Sequence, residues 1–322
     1  TSWLQYVPGK SKLISPFRLL APLVFSGMNF SKFDVVIVSA TGAYTPNLIK
    51  KGKAIQICYC HTPPRYLYGY PTARDWTKNI MVRVLSNIAN HFLRIVGFNS
   101  AQNVDHFVAN SKNIAARIEK FYRKDAIVIY PPVEVESTKS QAPNLKQSQN
   151  SKFKIPDSYF LTGGRLARPK RIDLAVRACT KLKLRLKVFG KEFAGYGDEI
   201  KGMAGPTVEF LGEVSEIEKY ELMRNAKAFI FPAEEEDFGI TPVEAMMCGT
   251  PVIAAKSGGV VESVVDGRTG IFFNEPTVDS LVSVLKHFDT LKFNRKDIAK
   301  YAQKFSKERF KREIRDFVES KS

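Results

Sequence analysis

The stretch that decides the fold is residues 231–262, FPAEEEDFGITPVEAMMCGTPVIAAKSGGVVE. The apolar run 228–231 leads into it and stops at Pro232, which predicts a buried strand. A carboxylate-rich turn follows, and the pair Thr241-Pro242 is typical of the first turn of a helix. Open parallel sheets bind ligands at the carboxyl ends of their strands, so this order predicts a binding site.

Two carboxylates of the stretch, Glu236 in the turn and Glu244 in the helix, are eight positions apart. Carboxylates accept hydrogen bonds from hydroxyl groups, and a helix start offers unpaired N–H groups and the positive end of its dipole. One carboxylate could therefore hold a sugar and the other a ribose. The alternative is a solvated acidic loop. The orderly succession of Phe238, Gly239, a helix start and a further apolar strand favours the binding site.

The core of the stretch, Glu-Asp-Phe-Gly-Ile-x-Pro-Val-Glu-Ala-Met, resembles the E-x7-E signature of retaining family 4 glycosyltransferases. The resemblance implies an α/β protein of the GT-B fold, with two Rossmann-like parallel-sheet domains facing a cleft. It also implies that Glu236 and the backbone N–H groups of Phe238, Gly239 and Ile240 hold the transferred sugar. Glu244 would take the ribose of a nucleotide-sugar donor.

Length and composition agree with two ordinary α/β domains, since the chain has 322 residues and 44% of them are hydrophobic. The four cysteines are interpreted as reduced thiols. A structural metal site at Cys58, Cys60 and His61 is not expected, because on a strand the two thiols would share one face while His61 would point to the other. No apolar run reaches the ~20 residues that span a bilayer, and no signal peptide is visible. The chain starts at Thr1 without an opening strand, so we expect the natural N-terminus, with the first strand and helix of the fold, to be missing.

The net charge of +17 lies mostly in the first half, where residues 1–150 hold 19 Lys and Arg against 7 Asp and Glu. A basic surface suits nucleic acid, an anionic membrane or a phosphorylated acceptor. A nucleic-acid-binding protein is the weaker alternative, because interleaved aromatic residues and a known binding module are absent from the sequence. We therefore expect no nucleic acid, and consider a peripheral anionic membrane surface as a partner.

Alternating strand and helix patterns predict a parallel sheet in each half of the chain. The polar run 137–153 predicts a linker between an acceptor-side domain, residues 1–136, and a donor domain, residues 154–300. The resemblance implies that residues 301–322 form a helix that returns to the first domain.

Residues 78–98 have the spacing of an amphipathic helix, with Met81, Leu85, Ile88, Phe92 and Ile95 on one side. Arginine and asparagine side chains fall on the other side. The favoured interpretation is a helix whose apolar side packs on the sheet. A helix lying on a membrane surface is the alternative.

The loop at 163–171, Gly-Gly-Arg-Leu-Ala-Arg-Pro-Lys-Arg, follows a predicted strand and precedes a predicted helix. Arginine and lysine beside two glycines suit a diphosphate. The loop resembles the family's phosphate-binding loop, which implies donor-binding roles for Arg165 and Lys170 and leaves the role of Arg171 open.

The segment 60–66, Cys-His-Thr-Pro-Pro-Arg-Tyr, follows another predicted strand. A single histidine there is more often structural than catalytic. The segment resembles bacterial polysaccharide and lipopolysaccharide mannosyltransferases, which implies that His61 contacts the transferred sugar and that Arg65 binds the acceptor.

Competing motifs fail in the sequence: Gly190 and Gly195 have P-loop spacing, but Tyr196 stands where the lysine is required, and no Asp-x-Asp motif occurs. The resemblance implies a retaining hexosyltransferase, and the missing Asp-x-Asp motif agrees with metal independence. No cofactor is expected, since the nucleotide-sugar would be the substrate. The expected donor is GDP-mannose, or alternatively a UDP-sugar, and the expected acceptor is a glycan or lipid-linked molecule in cell-surface polysaccharide synthesis. The expected location is cytoplasmic, peripheral on the inner face of the membrane. A non-catalytic nucleotide-sugar-binding relative remains the other alternative.

Overall fold

A computed structural model describes residues 20–41, 46–72, 80–135 and 158–321, with the side chain of Val82 left aside. The predicted linker at 137–153 and the first 19 residues lie outside this range. The described chain forms two compact units. The first unit comprises Thr1–Tyr130 and Phe310–Ser322, and the second comprises Pro131–Arg309.

Among the described residues, ten strands form two sheets, and every recorded pairing is parallel. The first unit holds β1 Val35–Ala40, β2 Ile55–Cys60, β3 His106–Ala109 and β4 Ala126–Val128, in the order β1-β2-β3-β4. The second unit holds β5 Phe160–Gly163, β6 Leu186–Phe189, β7 Val208–Gly212, β8 Ala228–Phe231, β9 Val252–Ala255 and β10 Gly270–Phe273. Their order is β10-β9-β8-β5-β6-β7.

The helices alternate with these strands along the chain. In the described residues they are α1 Ala21–Ser26, α2 Ile80–Gln102, α3 Lys112–Tyr122, α4 Ile172–Leu182, α5 Tyr196–Lys201, α6 Glu216–Asn225, α7 Ile240–Met247, α8 Val260–Ser263, α9 Val278–His287, α10 Arg295–Ala302 and α11 Lys307–Glu319. Two parallel sheets with helical crossovers confirm the predicted α/β class.

The core of the first unit lies on both faces of β2, whose residues alternate as a strand requires. Cys58 and Cys60 point into one apolar cluster, and neither takes part in a disulfide bond. Ile57 and Tyr59 point into the opposite cluster, against Phe310 and other apolar residues of α11. The last helix therefore covers one face of the first sheet.

The second unit has one large apolar core around β5, β6 and β8. Each of β5, β8 and β9 is buried along its whole length, as expected for strands covered by helices on both faces. The limits of β8 are those of the apolar run 228–231 from which the strand was predicted. Helix α6 was not predicted, although Ser215 and Glu218 form a capping box at its start.

The favoured interpretation of the 78–98 stretch is wrong. Helix α2 forms as predicted, but Met81, Leu85, Ile88, Phe92 and Ile95 are exposed rather than packed on the sheet. The fully buried residues of α2 are small or polar instead, namely Asn90, Gly97, Ser100 and Ala101. Amphipathic spacing shows that a helix has an apolar side, but it does not show which side meets the core.

Candidate active site

Two loops of the second unit lie side by side because their strands are neighbours in the sheet. Strand β5 pairs in parallel with β8, so both strands end at the same edge. The phosphate loop, residues 163–171, begins at the end of β5, and the acidic turn, residues 233–239, follows β8. The carboxyl ends of these two strands are thus the natural place for a ligand.

Two ion pairs tie the acidic turn to the phosphate loop. Lys170 Nζ donates to Glu236 Oε2 at 2.6 Å, and Arg171 forms an ion pair with Glu234. Arg171 Nε also lies 3.3 Å from Asp173 Oδ1. The sequence left the role of Arg171 open, and the structure places it as a clamp between the loop and the turn.

The acidic turn is also held from behind by the loop that follows β9. Gly259 N donates to the Glu236 carbonyl at 2.7 Å, and Glu235 N donates to Ser257 Oγ at 3.1 Å. A Cβ atom at Gly258 would lie 2.5 Å from the Glu236 carbonyl oxygen, and the residue has φ +66°. Glycine at position 258 therefore lets the two backbones touch.

Helix α7 begins at Ile240, one residue before the predicted Thr241. Its N-cap is Gly239, with φ 90° and ψ 75°, and no side chain caps the helix start in this described segment. Phe238 is buried and packs edge-on against Phe305, with ring centres 5.4 Å apart. The buried phenylalanine anchors the turn, so that the first N–H groups of α7 and its positive dipole end are available to a ligand.

A pocket of about 380 Å³ opens in front of this helix start. Its walls come from the phosphate loop, the ends of β6 and β7, and helices α6 and α7. Three of the predicted donor-binding residues, Arg165, Ile240 and Glu244, line it. Its volume is within the usual range for small-molecule sites.

Close contact of two backbones shapes the wall of this pocket between β5 and β6. A Cβ atom at Gly190 would lie 1.7 Å from the Gly164 carbonyl oxygen, and Gly190 has φ +134°. The sequence indicated no role for Gly190 beyond an incomplete P-loop pattern. Its observed role is to let the two strand ends approach each other.

Glu244 meets a lysine that the sequence did not reveal as a site residue. Lys219 Nζ lies 3.1 Å from Glu244 Oε1 and 2.7 Å from Glu216 Oε2. Burial raises the pKa of Glu244 above its usual value, and the charge of Lys219 acts in the opposite direction. Lys219 therefore helps to keep a buried carboxylate ionised.

Arg165 is exposed, and its guanidinium carbon lies 5.8 Å from the centre of the Phe193 ring. Both residues line the pocket. The fork of an arginine resting on an aromatic ring can turn toward a phosphate without breaking an ion pair. Lys170, by contrast, is already paired with Glu236.

His61 lies in the first unit, directly after β2. Its Nε2 is 2.9 Å from Ser39 Oγ, and its ring meets the edge of Tyr59 at 5.0 Å. Burial lowers the pKa of His61 below the usual 6.5, so the ring is neutral at neutral pH. Ser39, one strand away, is a neighbour that the sequence did not suggest.

Arg65 is half-buried and begins a short 3₁₀ turn, Arg65–Leu67. Its carbonyl accepts a hydrogen bond from Tyr70 N at 3.1 Å, which closes the segment into a compact turn. The predicted roles of Arg65, His61 and the donor-binding residues remain predictions, although the positions of the side chains are now known.

Two kinds of feature are absent from the described residues. No group of three or more His, Cys, Asp or Glu is placed to hold a metal ion. In the same part of the chain, no helix is both long and apolar enough to cross a membrane.

Comparison with known proteins places the chain in a family. The profile of the family described as Glycosyl transferases group 1 matches residues 144–305, which is half of the chain. An Alpha-1,3/1,6-mannosyltransferase ALG2 from Dictyostelium discoideum is 27% identical over 81% of this chain and 68% of its own length. The proteins of the same name from Mus musculus and Homo sapiens are 27% and 29% identical, over 94% and 76% of this chain and 76% and 62% of their own lengths.

Solved structures show the same fold. A sucrose-phosphate synthase from Thermosynechococcus elongatus has a TM-score of 0.71 at 17% identity, and covers 98% of this chain and 80% of its own. Anabaena Alr3699/HepE in complex with UDP has a TM-score of 0.67 at 18% identity, over 98% of this chain and 83% of its own. These similarities confirm the predicted GT-B fold. The chain is therefore a member of the glycosyl transferases group 1 family and a glycosyltransferase of the family 4 type.

Proposed function

We propose that the chain is a retaining hexosyltransferase that transfers mannose from GDP-mannose. The observation that carries this proposal is the pocket in which Arg165, the uncapped start of α7 and Glu244 converge. An arginine, a helix dipole and a carboxylate provide the donors for a diphosphate and the acceptor for a ribose. The mannosyltransferase names of the relatives support mannose.

Arg165 and Lys170 would supply the positive charge that a departing diphosphate needs. This charge allows a reaction without a metal ion, because charge-assisted hydrogen bonds stabilise the developing negative charge. A UDP-sugar is the alternative donor. This alternative is retained because one protein of similar structure was solved in complex with UDP. No cofactor is required, since the nucleotide-sugar itself is the substrate.

The ion pair of Lys170 with Glu236 would be exchanged when the donor binds. A phosphate oxygen would take Lys170, and the hydroxyl groups of the sugar would donate to Glu236. The backbone N–H groups of Phe238, Gly239 and Ile240 lie at the same turn. Both members of the pair are thus satisfied in the free protein and in the donor complex.

His61, neutral because of its burial, can exchange a hydrogen bond with a sugar hydroxyl. The resemblance assigns His61 to the transferred sugar and Arg65 to the acceptor, and we include both roles in the proposal. Transfer on one face of the sugar, with the leaving phosphate accepting the acceptor's proton, would retain the anomeric configuration. The acceptor would be a glycan or a lipid-linked molecule of cell-surface polysaccharide synthesis, reached from the cytoplasmic side.

The test is turnover of a panel of nucleotide-sugars by the full chain, with release of nucleoside diphosphate as the readout. We expect GDP-mannose to be consumed and Glu236→Gln to lower the rate by about 100-fold, because a misplaced sugar raises the barrier. Affinity for free GDP should stay at or above the wild-type level, because the substitution releases Lys170. Glu221→Gln, an exposed position on α6, is the matched control and should be fully active.

Three results would contradict parts of the proposal. Binding of GDP-mannose without transfer or hydrolysis would indicate a non-catalytic relative. A product of opposite anomeric configuration by NMR would exclude the retaining mechanism. Loss of activity with a chelator, restored by a divalent cation, would exclude metal independence.

A further inference from the structure

Helix α2 presents a long, largely apolar surface to the outside of the first unit. The members of this apolar stripe are Ile80, Met81, Val84, Leu85, Ile88, Phe92, Ile95 and Phe98, each exposed by between 37% and 71%. At about 100° per residue they fall within an arc of about 140° on the helix. Eight large apolar side chains on one face of one helix form a surface that soluble monomers rarely expose.

The opposite side of α2 is the one that meets the unit, and its fully buried residues are small or polar, with Leu93 half-buried among them. Asn90, Gly97, Ser100 and Ala101 are buried there. Arg94 Nη1 donates to the Leu67 carbonyl at 3.1 Å, which fastens the same side to the turn at 65–67. The helix is therefore inverted relative to an ordinary amphipathic helix, whose apolar side would face the core.

The only formal charges on α2 itself are positive. Helix α2 contains Arg83 and Arg94 and no Asp or Glu, and residues 80–124 hold seven Lys and Arg against two Asp and Glu. Arg83 is exposed outside the arc of the stripe, and His91 is exposed just inside its edge. A long apolar stripe with a basic border, here Arg83, matches the surface of an anionic bilayer. The acyl chains of such a bilayer are apolar, and its headgroups carry negative charge.

We infer that α2 is a membrane-docking helix, which lies in the interface of an anionic bilayer with its apolar stripe among the acyl chains. The stripe runs about 27 Å along the helix axis, at 1.5 Å per residue, and a helix of this kind lies in the plane of the membrane rather than across it. The exposed Arg83 at its border reaches the phosphate groups of the lipids. This surface adds a location to the proposed function and does not depend on which sugar is transferred.

The experiment is flotation of the full chain with vesicles of phosphatidylglycerol and phosphatidylcholine, and with vesicles of phosphatidylcholine alone. We expect binding to the anionic vesicles that weakens at high salt, because the basic border is screened. The double substitution Leu85→Ser/Phe92→Ser should reduce the bound fraction by about tenfold or more. Ile217→Ser, at a similarly exposed isoleucine on α6, is the matched control and should bind like the wild type.

A second readout separates insertion from attraction by charge alone. A polarity-sensitive fluorophore on Leu85→Cys should shift to the blue on anionic vesicles, while the same label on Ile217→Cys should not. Cys58, Cys60 and Cys179 are buried, so Cys248 is the one natural cysteine that the label can reach readily. Wild-type protein treated with the same label measures the signal from Cys248.

Three outcomes would overturn the inference. Equal flotation of wild type and Leu85→Ser/Phe92→Ser would show that the stripe is not the contact. Absence of the blue shift at position 85 would show that binding is electrostatic only. A wild-type dimer that the double substitution converts into a monomer, with no vesicle binding by either, would show that a second copy of the chain covers the stripe. The affinity for nucleoside diphosphate, measured in parallel, reports on the donor site separately. Failure of the proposed function can therefore be distinguished from failure of membrane docking.

Discussion

The apolar stripe of α2 and the acidic turn each carry a run of chemically similar side chains at the surface, and the two regions are stabilised in opposite ways. In the acidic turn, Glu234 and Glu236 face cations of the phosphate loop within the same unit. In α2, the apolar side chains of the stripe are exposed, while Asn90 and Ser100 on the other side are buried. The first arrangement holds a site ready for exchange with a ligand, and the second provides a surface for a partner outside the unit.

The largest expected effect contrasts the inner and outer faces of the first unit. Ile118→Ala on α3 removes a fully buried side chain and should lower the free energy of unfolding by about 2–5 kcal/mol. Ile88→Ala, at a half-exposed member of the apolar stripe, should change it by less than about 0.5 kcal/mol. Urea denaturation of both variants measures the difference. A large loss for Ile88→Ala would mean that the stripe is a core and would remove the contrast between the two regions.

A smaller effect concerns the two cations of the phosphate loop. Arg165→Ala should weaken the binding of GDP by about 1.5–3 kcal/mol, because a charge-assisted contact to phosphate is lost. Lys170→Ala should weaken it less, because Lys170 must leave Glu236 before it can bind a phosphate. Titration calorimetry gives both affinities, with Arg177→Ala on the exposed side of α4 as the control. Equal and unchanged affinities would exclude this loop as the diphosphate site.

The sequence predicted most of the strands and the two loops because these depend on short local patterns. Buried parallel strands such as β8 are continuous apolar runs between turn residues. The Glu-x7-Glu spacing can likewise be recognised in the sequence without knowledge of the fold. The contacts of Lys219, Ser39 and Gly258 could not be predicted, because each depends on how distant segments meet. Nor could the orientation of α2, because which side of a helix meets the core is decided by its neighbours and not by its own periodicity.

The packing behind the acidic turn provides a third test, of similar or smaller size. Gly258→Ala places a Cβ atom against the Glu236 carbonyl, whereas Gly267→Ala has a similar φ of +72° and no atom within 4 Å of the added carbon. Both variants carry the strain of a left-handed backbone, so the difference between them isolates the steric contact. We expect Gly258→Ala to be less stable than Gly267→Ala by about 1–3 kcal/mol in urea denaturation, with slower sugar transfer. Equal stabilities would mean that the turn can move away from its support.

The smallest effect is a change in pH dependence at the donor pocket. Lys219→Met removes the charge that opposes the burial of Glu244, so the pKa of Glu244 should rise further. Ionised Glu244 is the better acceptor for ribose hydroxyls, and GDP affinity should therefore begin to fall at a higher pH in the variant as the solution is acidified. The stability of the fold depends on pH in the opposite direction to GDP affinity. A raised carboxyl pKa stabilises the fold at low pH, and this contribution is lost as pH rises from 4.5 through the raised value.

Calorimetry over a range of pH checks this prediction. Glu244→Gln should bind GDP more weakly and should show no acidic decline in the same range. Lys181→Met, at an exposed pair with Asp279, is the control and should follow the wild-type profile. A Lys219→Met profile identical to that of the wild type would show that Lys219 does not influence Glu244.

The return of α11 to the first sheet has a consequence for biosynthesis. Phe310 lies edge-on against Tyr59, with ring centres 5.5 Å apart, and Phe317 approaches His106 at 6.1 Å. This face of β2 and β3 is therefore covered only when Phe310–Ser322 have been synthesised, which happens after the whole second unit, Pro131–Arg309. At about 5–20 residues per second this interval lasts roughly 9–36 s, during which the second unit can fold while one face of the first sheet stays open to chaperones.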